Sequence, residues 1–122
     1  MAHPPSPEVF DKQELLDRVE GDEEFAGEIV DVFLQHAPEM VAKLERDIEQ
    51  GDVRTISRSA HELKGAASNI AAGTLTACAR RVQEAADAED LPAVRDTFDE
   101  LRTSMEALRR QLQSAFVSQS GD

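Results

Sequence analysis

The sequence predicts an all-α protein, an antiparallel four-helix bundle with a short additional N-terminal helix. Three observations carry that expectation. The chain of 122 residues contains no Trp, no Tyr and few β-branched residues, and Ala, Leu, Glu, Arg and Gln dominate it, a composition that favours helix over strand. Apolar residues recur at three- and four-residue spacing through four long stretches, the period of an amphipathic helix. Those stretches are separated by short Gly- and Asp-containing breaks, which leaves room only for tight turns between antiparallel neighbours.

Each element has its own justification. Met1 to Pro7 carries Pro4, Pro5 and Pro7, so residues 1–8 are expected to be a disordered lead with no role for His3. Asp11 is a suitable N-cap, and Glu14 three residues on answers it. The first helix should run to about Glu20 with Leu15, Leu16 and Val19 inward, and Gly21 should end it. Asp22 opens the second helix, with Phe25, Ile29, Val32, Phe33, Ala37, Met40, Leu44 and Ile48 as its inward stripe and Pro38 as a kink. His36 lies at the edge of that stripe and reads as half-buried. Gly51-Asp52 stops one helix and starts the next. The third helix should run to about Ala72, with Gly73 as its C-terminal glycine and Thr74 as the cap of the fourth. In the fourth, Leu75, Cys78, Val82 and Ala85 face inward, and Cys78 reads as a small core hydrophobe. Asp90 caps the last helix, Pro92 sits in its first turn, and Val94, Phe98, Leu101, Met105, Leu108, Leu112 and Phe116 form its stripe. The domain is thus expected over residues 9–117, followed by a disordered tail at 118–122.

Charge and motif content exclude several functions. A formal net charge of −12 argues against nucleic acid and anionic membranes, both of which need clustered cations. No apolar run approaches the roughly 18 residues of a membrane span, and no signal-peptide core opens the chain. A single cysteine fits a reducing compartment, so a cytoplasmic location is expected. The inward Glu-x-x-His pairs of a di-iron bundle are missing: position 58 holds Arg58 and position 33 holds Phe33. Zinc-ligand spacing, P-loops and serine-hydrolase turns are missing too, so no metal, no cofactor and no ATP site are expected.

The third helix has a second face worth reading. Val53, Ile56, Ala60, Leu63, Ala67 and Ile70 make its core stripe, while Arg54, Ser57, Arg58, His61, Lys64, Gly65 and Ser68 recur on the opposite side. His61 therefore stands on a polar face with Lys64 one turn on and Gly65 beside it. Glycine inside a helix costs about 1 kcal/mol relative to alanine. Nothing within the helix accounts for that cost, so a close approach from outside is the natural reason. A neutral imidazole is a good nucleophile near neutral pH, and the cations around it would offset an added phosphoryl charge.

The run Ala60-His61-Glu62-Leu63-Lys64-Gly65, followed by Ser68-Asn69-Ile70, resembles the signature of the histidine phosphotransfer (HPt) domain of bacterial phosphorelays. The resemblance extends from about Phe10 to Phe116 and includes the Gly51-Asp52 turn, Leu75 and the Asp90-Leu91 helix start. It implies a four-helix bundle with His61 as phosphoacceptor, Lys64 near the phosphoryl group and Gly65 as the gap admitting a receiver domain. It further implies that a side chain at the position of Gln83 orients the imidazole. Arg58 and Ser68 complete the candidate phosphoryl- or partner-binding set. The implied partners are response-regulator receiver domains and a hybrid sensor kinase, with Mg²⁺ on the receiver and none on this chain. A monomer, and weakly a free-standing carrier, is expected. Many members of that family have glycine where this chain has Ala71, which is expected to straighten or lengthen the end of the third helix. Val41 and Ile70 are candidates for the apolar frame of the docking surface. The alternative reading is a non-catalytic interaction bundle that docks receivers without carrying phosphate.

Overall fold

The computed structural model describes residues 9–116. The expected lead and tail, and the upper domain boundary at 117, lie outside the described residues. Five helices follow one another: α1 (Lys12–Arg18), α2 (Glu23–Gln50), α3 (Val53–Asn69), α4 (Gly73–Asp87) and α5 (Leu91–Ala115). Helices α2 to α5 pack in a closed ring, each against the next and α5 back against α2. This is the four-helix bundle the periodicity predicts.

Side-chain caps set most of the helix starts. Asp11, Asp22, Asp52 and Asp90 each accept a bond from a backbone N–H in the first turn of α1, α2, α3 and α5, removing donors that would otherwise be unsatisfied. Helix α2 spans 28 residues and continues through Pro38, about 42 Å of helix. It stops at Gly51, whose φ of +76° is a conformation glycine adopts without steric cost.

The α3–α4 turn departs from expectation. Helix α3 ends at Asn69, Ala72 is the N-cap of α4, and Gly73 is already its first residue. The left-handed position belongs to Ala71, at φ +60°. The Ala71 N–H donates to the Ser68 carbonyl and the Ala72 N–H to the Ala67 carbonyl, which closes the helix in a Schellman motif. Ala71 therefore shortens α3 instead of lengthening it. Thr74 caps nothing; Thr76 is the side chain that reaches back, donating to the Ala72 carbonyl at 2.7 Å. Glu20 and Glu89 take the same left-handed position after α1 and α4. Helix α1 accordingly stops at Arg18, two residues earlier than expected.

Leu44, Ile56, Leu63, Leu75, Leu101, Leu108 and Leu112 are fully buried at the centre of the ring. Cys78 and Val82 of α4 join them. One polar group is buried between α2 and α3. Ser59 Oγ donates to Asp47 Oδ2 and accepts from Lys43 Nζ at 2.7 Å, so neither the hydroxyl nor the carboxylate is left unpaired in the interior. At one end of the bundle, α1 lies over the α3–α4 turn. The Asp11 N–H donates to the Ala71 carbonyl, and Arg18 donates to the Ser68 and Asn69 carbonyls at 2.8 and 3.2 Å. Phe10 packs edge-on against Phe116 with ring centroids 6.0 Å apart, tying the two ends of the described chain together.

Candidate functional site

The polar face of α3 stands where its period puts it. Ile56, Ala60, Leu63 and Ala67 are buried, while Arg54, Arg58, His61, Gly65 and Ser68 are exposed and Lys64 is half-buried. No side-chain hydrogen bond or ion pair engages His61, Lys64 or Arg58 among the described residues. The imidazole is thus free to meet a partner, with Lys64 one turn further along and Arg58 one turn back.

Gly65 carries an informative geometry. A Cβ built on it meets nothing within 4 Å. Internal packing therefore does not demand glycine here, and its helical φ does not either. Gly65 is exposed one turn from His61, so its main chain lies open to approach from solvent.

The position of Gln83 follows from the pairing of α3 and α4. Ser57 Oγ donates to Asp87 Oδ1 at 2.7 Å, and eleven residues further along α3, Ser68 shares a cavity with Thr76 of α4. Moving four residues up α3 and four down α4 from the Ser57–Asp87 bond brings His61 level with Gln83, since both helices rise about 1.5 Å per residue. Gln83 is half-buried and makes no hydrogen bond to His61 in this structure.

On the other flank of α3 lies a feature the sequence reading did not assign. Ile29, Val32, Phe33, His36, Met40 and Ala66 line an open groove of about 310 Å³ between α2 and α3. Val32 is 55% exposed and Phe25, two turns earlier, is 49% exposed. Both were expected to face inward. Ala26 and Val30 occupy the core instead, because the apolar arc of α2 is wider than its two neighbours can cover. Having ten apolar or small residues between Phe25 and Met40 was the available signal. His36 is exposed within this groove, where it was expected to be half-buried. Of the two apolar frame candidates, Ile70 lies at the groove floor and Val41 does not line it.

The molecule is an all-helical bundle with an exposed, unbonded histidine on one face of α3. Residues 28–111 match the family model described as Hpt domain, well over half of the chain, and the chain belongs to the Hpt domain family. Such domains serve histidine phosphotransfer in phosphorelays and interact there with receiver domains and kinases. The fold is similar to that of the HPT domain from an Hpt sensor hybrid histidine kinase of Shewanella, with a TM-score of 0.69 over 89% of this chain and 97% of that one. The two sequences are 23% identical, so the likeness is one of fold. No curated protein matches the chain. No described helix is long and apolar enough to cross a membrane.

Proposed function

We propose that His61 accepts a phosphoryl group from the phospho-aspartate of a receiver domain and passes it to the aspartate of a second receiver. The observation that carries this reading is the isolation of His61: exposed, unbonded, one turn from Lys64, and next to a glycine whose missing side chain leaves open space. The imidazole lone pair attacks phosphorus in line. A P–N bond forms as the P–O bond to the aspartyl carboxylate breaks, and the bonding pair leaves with the carboxylate. Mg²⁺ on the receiver would neutralise the charge developing on the phosphoryl oxygens. This chain supplies the nucleophile, Lys64 and Arg58 as nearby cations, and the gap at Gly65. Ser68 and Gln83 flank the ring along α3 and across on α4. The apolar groove on the other flank of α3 supports docking on the α2–α3 face.

The test is transfer from a receiver phosphorylated with acetyl phosphate in Mg²⁺. Wild-type protein should take up acid-labile label and His61→Gln should take up none. Lys64→Ala should slow labelling with the fold intact, because it removes a cation that would offset the phosphoryl charge. Equal labelling of wild type and His61→Gln would overturn the assignment. Docking without labelling would favour the non-catalytic bundle.

A further inference from the structure

The charge on the docking face is divided, and the division describes the partner. One turn to either side of His61 along α3 the free charges are cations, Arg58 and Lys64. Around the α2–α3 groove they are carboxylates: Glu28 and Glu39 on the α2 side and Glu62 on the α3 side are all exposed. None of the three is paired among the described residues. Some carboxylates elsewhere find cations, as in Glu14 with Arg18, Glu45 with Arg102 and Glu100 with Arg81. Between Glu23 and Ala42, α2 carries five carboxylates and no Lys or Arg. In helical spacing Glu28 is one turn from Val32, Glu39 is one turn from His36, and Glu62 is one turn from Ala66. An apolar groove with an exposed valine is thus framed by unneutralised negative charge.

We infer that this groove selects, among phosphorylated receivers, one that presents an apolar side chain surrounded by lysine or arginine. The inference rests on the phosphotransfer reading and adds the partner's chemistry to it. An apolar anchor would cover Val32 and Met40, and its basic frame would meet Glu28 and Glu39. The receiver's acidic phosphoacceptor pocket would meet Arg58 and Lys64 at the same time. A receiver with the opposite arrangement would set carboxylate against carboxylate on the groove side, which disfavours encounter. A second copy of this chain is opposed by the same repulsion, with −12 formal charges on each.

The test uses a panel of purified receiver domains, phosphorylated with acetyl phosphate and Mg²⁺ and sorted by the charge around their apolar contact surface. Wild-type protein should be labelled fastest by receivers with a basic frame. Glu28→Lys combined with Glu39→Lys should lower kcat/KM for those receivers by about 10-fold or more while the rate at saturation holds, because rim charges act on encounter. Raising NaCl from about 50 to about 500 mM should slow the wild type and speed the Lys double variant, because salt screens attraction in the first and repulsion in the second. The isosteric pair Glu28→Gln and Glu39→Gln should fall between the two, and helical circular dichroism reports that each variant folds. Transfer to the Lys variant at the wild-type rate and low salt, or fastest labelling by an acid-framed receiver, would overturn the inference and leave the phosphotransfer reading standing. Absence of label on the wild type from every receiver would remove that reading and the inference with it.

Discussion

Ser57 Oγ donates to Asp87 Oδ1 at 2.7 Å across the α3–α4 interface. That bond lies one turn below the level of His61 and Gln83, so it sets the pairing on which their approach depends. An exposed hydrogen bond to a carboxylate contributes about 1 kcal/mol. Ser57→Ala should therefore lower Tm by about 4 °C. Gln83→Ala removes no bond seen in the resting structure and should leave Tm unchanged, while slowing transfer if Gln83 swings onto the imidazole in the complex. Calorimetry and the labelling assay read the two effects separately. An equal Tm loss in both variants would show that Gln83 is structural.

Gly65 separates stability from function. A Cβ there meets open space, so Gly65→Ala should stabilise α3 by about 0.5–1 kcal/mol through helix propensity alone. Gly65→Leu should also fold, yet its bulk holds the receiver away from His61. Displacement of the reacting atoms by even about 1 Å can cost ~100-fold in rate. A raised Tm together with a large fall in transfer is the expected result. Unimpaired transfer by Gly65→Leu would defeat the close-approach argument.

Three helices end on a non-glycine residue in the left-handed region, namely Glu20, Ala71 and Glu89. Glu89 is exposed, so only the backbone is at issue. Glu89→Gly should stabilise by about 0.5–1 kcal/mol, or about 2–4 °C in Tm. Ala71→Gly should gain less, because the Ala71 methyl is buried and is lost. Thermal melts of the two single variants give the comparison; a larger gain at Ala71 would contradict the burial argument.

Burial raises the pKa of the Cys78 thiol, against a smaller downward pull from the Arg81 guanidinium. The fold thus favours the protonated thiol. Its contribution to stability is complete below the unfolded thiol pKa of about 8.5 and is lost as pH rises through the higher folded value. Melting temperature should fall on the alkaline side more for the wild type than for Cys78→Ala. An aromatic disulfide reagent should react slowly with the native protein at pH 8 and rapidly in denaturant. Fast reaction of the native protein would show the thiol to be accessible.

Much of the molecule was legible in the amino-acid order. The spacing of Ile56, Ala60, Leu63 and Ala67 assigns the buried side of α3, and the same spacing leaves His61 and Gly65 outside. Asp22, Asp52 and Asp90 announce three helix starts because a short carboxylate at that place satisfies an orphan N–H. The end of α3 was not legible. Gly73 looked like its terminator, yet Ala71 takes the left-handed turn, since the α1 contacts from Asp11 and Arg18 hold that corner at Ala71 and Ser68. Ser59 and Asp47 were equally obscure, because a polar side chain in an apolar stripe reveals its partner only when two helices meet.

The sequence by itself determined the helices, their inward faces and the histidine that stands clear of them. These are local properties, decided by a period of 3.6 residues and by caps within one turn. Only the tertiary structure decided that Phe25 and Val32 stay in water, that a groove opens between α2 and α3, and that Gln83 comes level with His61. Those depend on how wide an apolar arc the neighbouring helices can cover and on the register at which they pair, and neither quantity resides in any single segment.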